Sequence, residues 1–143
     1  MKNIGIIGNG FVGSAVASGF ALHANVMIYD KDPRRSTHSL EQILDRSEYV
    51  FVGVPTPMHS VENGEIDLTI LDNVMEMINE RNTNLNNIIV IKSTVIPGTT
   101  RKYVEKYPNL NIVFNPEFLT ERTARLDFIN TARIVIGGTP ELC

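Results

Sequence analysis

The sequence predicts an α/β fold in which helices cover both faces of a doubly wound parallel sheet. Short, continuously apolar runs recur along the chain, as expected for strands that are buried on both faces. Segments with apolar residues at helical spacing separate these runs, which is typical of strands joined by crossover helices. The 143 residues contain no sequence typical of an interior linker, so we expect a single domain spanning residues 1–143.

The first thirty residues carry the most informative pattern. The apolar run Ile4–Ile7 leads into the segment Gly8-Asn9-Gly10-Phe11-Val12-Gly13, which has the spacing Gly-x-Gly-x-x-Gly. A helix is predicted over Ser14–Ala24 and a second strand over Val26–Tyr29, followed directly by Asp30. A strand, a glycine turn, a helix, a strand and an acid in this order form the dinucleotide-binding fingerprint of the Rossmann fold.

Each glycine of the turn has a physical purpose in this interpretation. Gly8 allows the chain to turn sharply out of the strand, and Gly10 lets the backbone approach a pyrophosphate. Gly13 allows the helix to pack closely against the strand. The N-terminus of that helix then offers unpaired N–H groups and the positive end of the helix dipole to the phosphates.

The residues around Asp30 bear on the choice of cofactor. A carboxylate at this position can accept hydrogen bonds from the adenosine ribose hydroxyls and repels the extra phosphate of NADP, so the sequence favours NAD. Lys31, Arg34 and Arg35 follow at once and weaken that preference.

The rest of the chain continues the alternation. Ser39 is predicted to cap a short helix through Leu44, and Asp67 to cap a longer helix through Ile78. A polar loop is expected at His59–Glu65, and a further helix from Pro97 to about Lys106. The remaining strands are predicted at Tyr49–Val54, Ile88–Ile91, Asn111–Phe114 and Arg133–Ile136.

Polar residues follow several of these strands. They are Thr56, Ser93-Thr94 and Asn115 to Glu121, and in a doubly wound sheet all of them reach the same edge. Glu117 and Glu121 lie on one helix face, either as a solvated acidic first turn or as a pair that handles water and protons. Thr94 could orient that water or could simply end a strand.

Composition excludes several classes of function. The net charge of −3 provides no basic surface for nucleic acid, and no apolar stretch reaches the ~20 residues that span a bilayer. Cys143 is the only cysteine, which excludes an intrachain disulfide and fits the cytoplasm. The three histidines show no metal-ligand spacing, so no metal site is expected.

The motifs as a set resemble the amino-terminal domain of the UDP-glucose/GDP-mannose dehydrogenase family. The resemblance covers almost the whole chain. It rests on Gly8–Gly13, Val54-Pro55-Thr56-Pro57-Met58, Gly64-Glu65-Ile66-Asp67-Leu68, Lys92-Ser93-Thr94-Val95 with Pro97-Gly98-Thr99-Thr100, Asn115-Pro116-Glu117-Phe118-Leu119, and Arg133-Ile134-Val135-Ile136-Gly137.

The resemblance implies oxidation of the C6 alcohol of a nucleotide sugar, most simply UDP-glucose, to a uronic acid with two NAD through an aldehyde bound to a cysteine. Thr94, Glu117 and Glu121 would be catalytic, with Thr94 and Glu117 positioning and deprotonating the water that hydrolyses the thioester. Glu117 to Glu121 would also border the sugar. The implied cofactor site consists of Gly8, Asn9, Gly10, Phe11, Val12, Gly13, Asp30, Arg35, Val54, Pro55, Thr56, Ser93, Thr94 and Glu121.

The family pattern also sets expectations about what the chain lacks. The stretch between Asp30 and Val50 is short, so a helix and most of a strand are expected to be missing there. The family's catalytic cysteine, its substrate-binding domain and the elements of its homodimer lie beyond Gly138, so we expect this chain alone to be inactive. Two alternatives stay open: a stand-alone NAD-binding module without catalysis, and a domain of the 3-hydroxyacid or 6-phosphogluconate dehydrogenase type.

Overall fold

The computed structural model describes residues 2–60, 65–96, 98–115 and 136–143. The described part contains eight strands, four α-helices and one 3-10 turn at Pro33–Arg35. In chain order the strands and helices are β1 (Lys2–Ile7), α1 (Phe11–Phe20), β2 (Ala24–Tyr29), α2 (Leu40–Arg46), β3 (Tyr49–Val52), β4 (Met58–Ser60), β5 (Glu65–Ile66), α3 (Thr69–Arg81), β6 (Ile88–Ile91), α4 (Thr99–Lys106), β7 (Asn111–Phe114) and β8 (Gly137–Gly138).

Six of the strands form one sheet in the order β2-β1-β3-β6-β7-β8. The first five are parallel to one another, and only β8 runs antiparallel to its neighbour β7. This confirms the predicted α/β class, with one antiparallel strand at the edge. Strand β2 forms the other edge, and only the 3-10 turn and α2 lie between β2 and β3, as the short spacing after Asp30 predicts.

Helices pack on both faces of the sheet. Helix α1 covers Ile4 and Ile6 of β1, while α2, α3 and α4 pack on the opposite face against residues such as Ile7. Neighbouring residues of a strand point to opposite faces, so β1 contributes to both cores. The parallel strands therefore bring their carboxyl ends to one edge between two helical layers.

Helix α2 shows why the predicted boundary there is correct. The Ser39 side chain accepts from the Gln42 N–H, and the Gln42 side chain accepts from the Ser39 N–H, which forms a capping box. The helix then lies so close to β1 that a Cβ added to Gly5 would come within 2.3 Å of Ile43 Cγ2.

Two predicted helix boundaries are wrong. Helix α1 covers Phe11–Phe20 rather than 14–24, because Ala24 is already buried in β2 opposite Lys2. Helix α3 has Leu68 rather than Asp67 as its N-cap residue. Asp67 nevertheless accepts from the Thr69 N–H at 2.8 Å, so its side chain still satisfies a first-turn amide.

Two strand predictions also need correction. The predicted polar loop at His59–Glu65 begins and ends in an antiparallel pair, β4 and β5, in which Met58 pairs with Ile66. The strand predicted at Tyr49–Val54 ends at Val52. Of the strand predicted at 133–136, residues 133–135 lie outside the described residues, and the last described strand, Gly137–Gly138, is antiparallel to β7. Among the described helices, none has the length and apolar character needed to span a membrane.

Candidate dinucleotide-binding site

The glycine turn between β1 and α1 has three glycines with different surroundings. Gly8 has φ +93°, and a Cβ on Gly13 would lie 1.8 Å from the Gly8 carbonyl oxygen. The backbone therefore requires glycine at both of these positions. Gly10 differs, because a Cβ there would meet no described atom within 4 Å. Its backbone faces open space, as required where a diphosphate approaches the chain.

Helix α1 presents its N-terminus at this open position. Gly10 is the N-cap residue, and no described side chain caps the helix or places an acid in its first turn. Its first amides and the positive end of its dipole are thus directed towards the space above Gly10. This arrangement fits the diphosphate of a dinucleotide.

Asp30 lies at the end of β2 and is held by main-chain donors. Its Oδ2 accepts from the Asn9 N–H at 2.8 Å and its Oδ1 from the Asp32 N–H at 2.9 Å. The Asp30 N–H donates to Ser36 Oγ at 2.8 Å. These bonds fix the carboxylate between the glycine turn and the 3-10 turn, where the fingerprint places the ribose-binding acid.

The two arginines of the 3-10 turn are held differently. The Arg34 guanidinium donates to both oxygens of Asp32, at 3.2 and 3.1 Å, which holds the pKa of Asp32 below its usual value. Arg35 is exposed and lines a cavity beside Asp30, while its carbonyl oxygen accepts from Asn9 Nδ2 at 3.1 Å. Only Arg35 of the pair therefore faces the cavity.

That cavity has a volume of about 250 Å³ and lies on the β2 side of the glycine turn. Its polar end contains Asp30, Lys31 and Arg35. Its apolar end contains residues from α2 and α3 that the sequence assigns to the apolar faces of these helices: Leu40, Ile70, Val74 and Met77. A polar end beside the ribose acid and an apolar end suit an adenosine.

A second cavity, of about 340 Å³, lies on the other side of the same turn. It is lined by Val12, Thr56, Thr94 and Lys92, among others. Both cavities include Gly10, Gly53, Val54 and Pro55. The two together therefore form one depression along the carboxyl edge of the sheet, with Gly10 between its halves.

Lys92 is a functional candidate that the sequence prediction missed, and it contacts Asn115, one of the polar residues predicted at the strand ends. Lys92 is only 3% exposed, and its Nζ donates to Asn115 Oδ1 at 2.6 Å. Burial lowers the pKa of Lys92 to about 8. The contact joins the ends of β6 and β7. It follows from the order of the strands in the sheet, which the spacing of the two residues in the sequence does not reveal.

Ser93 has a structural bond in this part of the site. Its hydroxyl donates to the Val54 carbonyl oxygen at 2.7 Å and so ties the end of β6 to the end of β3. The adjacent Thr94 is exposed and lies in the same cavity. Of this pair, the Thr94 side chain is therefore the better placed to meet a ligand.

The structure brings most of the predicted cofactor residues together. The residues that line one or both cavities are Gly8, Gly10, Val12, Asp30, Arg35, Val54, Pro55, Thr56, Ser93 and Thr94. Asn9 lies in the turn between them, Phe11 begins α1, and Gly13 lies in the first turn of that helix. Glu117 and Glu121 lie outside the described residues, so their roles stay predictions.

Comparison with known proteins finds relatives that match over most of this chain. The profile of the "UDP-glucose/GDP-mannose dehydrogenase family, NAD binding domain" matches residues 34–143. A UDP-glucose 6-dehydrogenase of Rickettsia typhi is 32% identical over 94% of this chain, and one of Haloferax volcanii is 29% identical over 94%. The chain spans only 38% and 40% of the length of these two relatives.

Solved structures support the fold. A GDP-mannose dehydrogenase from Pseudomonas aeruginosa superposes with a TM-score of 0.79, at 23% identity, over 96% of this chain and 41% of that one. A Mycobacterium tuberculosis 3-hydroxyisobutyrate dehydrogenase gives 0.76 at 13% identity, over 99% of this chain and 48% of that one. At these identities the likeness establishes the shared fold and nothing about the substrate.

Proposed function

The chain belongs to the UDP-glucose/GDP-mannose dehydrogenase family, whose NAD binding domain it carries, and on that premise we propose that it serves a nucleotide-sugar dehydrogenase. The proposed reaction oxidises the C6 alcohol of UDP-glucose, or of a related nucleotide sugar, to the uronic acid with two NAD. In this proposal the domain in this chain binds NAD, and the remainder of such an enzyme binds the nucleotide sugar.

One observation carries the cofactor part of this proposal. Two cavities of different character meet at Gly10, above the uncapped N-terminus of α1. An adenosine would occupy the partly apolar cavity next to Asp30, and the diphosphate would lie over Gly10. The nicotinamide would then reach the cavity that contains Thr56 and Thr94.

The proposed roles of the chain's own residues follow from these positions. Asp30 accepts hydrogen bonds from the ribose hydroxyls, and Arg35 lies beside the same ribose. NAD held by these residues would supply the hydride acceptor for the oxidation. Thr94 holds the water needed to complete the oxidation, and Glu117 deprotonates that water. Glu117 to Glu121 border the sugar, and Glu121 also lines the cofactor site.

The two carboxylates and the partners are assigned by the family resemblance. The proposed small-molecule partner is a nucleotide sugar, with UDP-glucose as the first candidate. The proposed assembly of the full-length enzyme is a homodimer. The proposed compartment is the cytoplasm, where the single Cys143 would stay reduced.

Calorimetric titration of this chain with NAD, NADP and UDP-glucose in turn tests the proposal. We expect NAD to bind, NADP to bind more weakly, and UDP-glucose to give no heat of binding without the rest of the enzyme. A turnover assay with UDP-glucose and NAD should give no acid product from this chain alone. Tighter binding of NADP than of NAD would overturn the assignment of Asp30, and acid product from this chain would overturn the division of labour.

A further inference from the structure

The side chain of Asn9 makes contacts that the dinucleotide fingerprint does not require. Its Oδ1 accepts from Ser14 Oγ at 2.8 Å, and its Nδ2 donates to the Arg35 carbonyl oxygen at 3.1 Å. Ser14 belongs to α1, and Arg35 ends the 3-10 turn. One amide side chain therefore joins the diphosphate-facing helix to the segment that carries the basic residues.

The contacts of the 3-10 turn show what this link holds in place. Arg34 pairs with Asp32, and the Arg35 N–H donates to the Asp32 carbonyl oxygen at 3.0 Å. Asp32 in turn donates its N–H to Asp30 at 2.9 Å. With Arg34 occupied by Asp32, the cations that line the adenosine-side cavity are Arg35 and, just before the 3-10 turn, Lys31. Asn9 fixes the main chain of Arg35.

We infer that Asn9 is a positioning residue that sets the preference for NAD over NADP; the inference rests on the proposed NAD site. The Asn9 side chain keeps the main chain of Arg35 at a fixed distance from the glycine turn and from the Asp30 carboxylate. A 2′-phosphate on the ribose would need a guanidinium to approach it and offset the repulsion from Asp30. Fixing the Arg35 main chain opposes that approach.

The test compares Asn9→Ala with the unaltered chain by calorimetry with NAD and with NADP. Alanine removes both side-chain hydrogen bonds but retains the main-chain N–H that donates to Asp30. The φ angle at position 9 is not positive, so alanine can adopt the same backbone conformation. The two lost bonds are internal and act on the cofactor only through the position of Arg35, so the effect on NAD is set at that of about one average hydrogen bond, which is roughly fivefold in affinity. We expect NAD to bind about fivefold more weakly while NADP binding is unchanged or improved, so the ratio of the two dissociation constants falls.

The controls separate this role from general loosening of the domain. Asn25 lies in β2, the strand that leads to Asp30, and its side chain donates to Asn3 Oδ1 at 3.0 Å. Because Asn25 lines neither cavity, Asn25→Ala should leave the affinities for NAD and NADP unchanged. Ser14→Ala removes only the partner of Asn9 Oδ1 and should shift the ratio in the same direction by a smaller factor. This second variant also decides the question if Asn9→Ala does not fold.

The outcomes are distinguishable. A fall in the NAD preference in Asn9→Ala and Ser14→Ala, with none in Asn25→Ala, supports the inference. An equal loss of both affinities, or no change, in a folded Asn9→Ala overturns it while the NAD site stands. If the unaltered chain binds no NAD, the proposed function and this inference fall together.

Discussion

Replacing Gly10 by alanine should change the binding of NAD without changing the stability of the glycine turn. The backbone at Gly10 has φ −83° and ψ −161°, which alanine adopts readily, and an added Cβ meets no described atom within 4 Å. Replacing glycine by alanine at an N-cap costs about 0.5–1 kcal/mol, and the smaller conformational entropy of the unfolded alanine chain offsets about 0.4–1 kcal/mol of that loss. The free energy of unfolding should therefore change by less than about 0.5 kcal/mol.

Binding of NAD should respond quite differently. If the diphosphate lies against Gly10, the added methyl group occupies its place, and overpacking of this kind costs about 1–3 kcal/mol. That corresponds to a dissociation constant raised by a factor of about 5 to 150. Thermal unfolding should show a midpoint within about 2 °C of the unaltered chain, while calorimetry should show weak or no binding.

Gly13→Ala is the matched control for this experiment. A Cβ at Gly13 would lie 1.8 Å from the Gly8 carbonyl oxygen, so this variant should lose stability as well as binding. Unaltered NAD affinity in a folded Gly10→Ala chain would refute the placement of the diphosphate. A large loss of stability in Gly10→Ala would refute the claim that its surroundings are open.

Three further predictions concern stability. Tyr103→Phe removes a hydrogen bond to the Asp72 carboxylate, 2.5 Å long, and should lower the free energy of unfolding by about 1.5–3 kcal/mol in urea titrations; an unchanged midpoint would contradict it. Ser39→Ala removes the capping box of α2 and should cost about 1 kcal/mol, whereas Thr83→Ala, at an exposed loop position outside that helix, serves as a control. Because burial lowers the pKa of Lys92 to about 8 from 10.5, the folded state binds fewer protons than the unfolded state between these pH values. The unaltered chain should therefore gain stability relative to Lys92→Met as the pH rises through that window, and a gap independent of pH would count against the burial effect.

The sequence allowed prediction of the features that depend on local pattern. The glycine turn, the capped α2 and the strands at 88–91 and 111–114 follow from spacing and residue type, and the structure confirms them. The sequence pattern predicts α1 at 14–24, later in the chain than its observed position, because the alanine-rich stretch continues to favour helix while burial assigns Ala24 to β2. The β4–β5 pair was missed although Asn63-Gly64 is a common hairpin sequence.

The parts of the site that depend on tertiary neighbours could not be predicted. Val74 and Met77 have the spacing of a core helix face, and only the position of α3 at the sheet edge places them in the adenosine-side cavity. The Lys92–Asn115 contact requires β6 and β7 to be adjacent. The Asn9–Arg35 bond likewise depends on where the 3-10 turn folds back, which the residues of the glycine motif do not specify.

Backbone NMR of this chain during titration with NAD tests the central claim most directly, because it reports on every strand end at once. We expect the amide resonances of Asn9, Gly10, Asp30, Thr56 and Thr94 to shift together along one saturable curve. A separate cavity of about 910 Å³ between α4 and β8 includes Val104 and Gly138 and none of those residues. Shifts confined to that cavity, or to one strand end alone, would contradict a dinucleotide lying across the edge of the sheet.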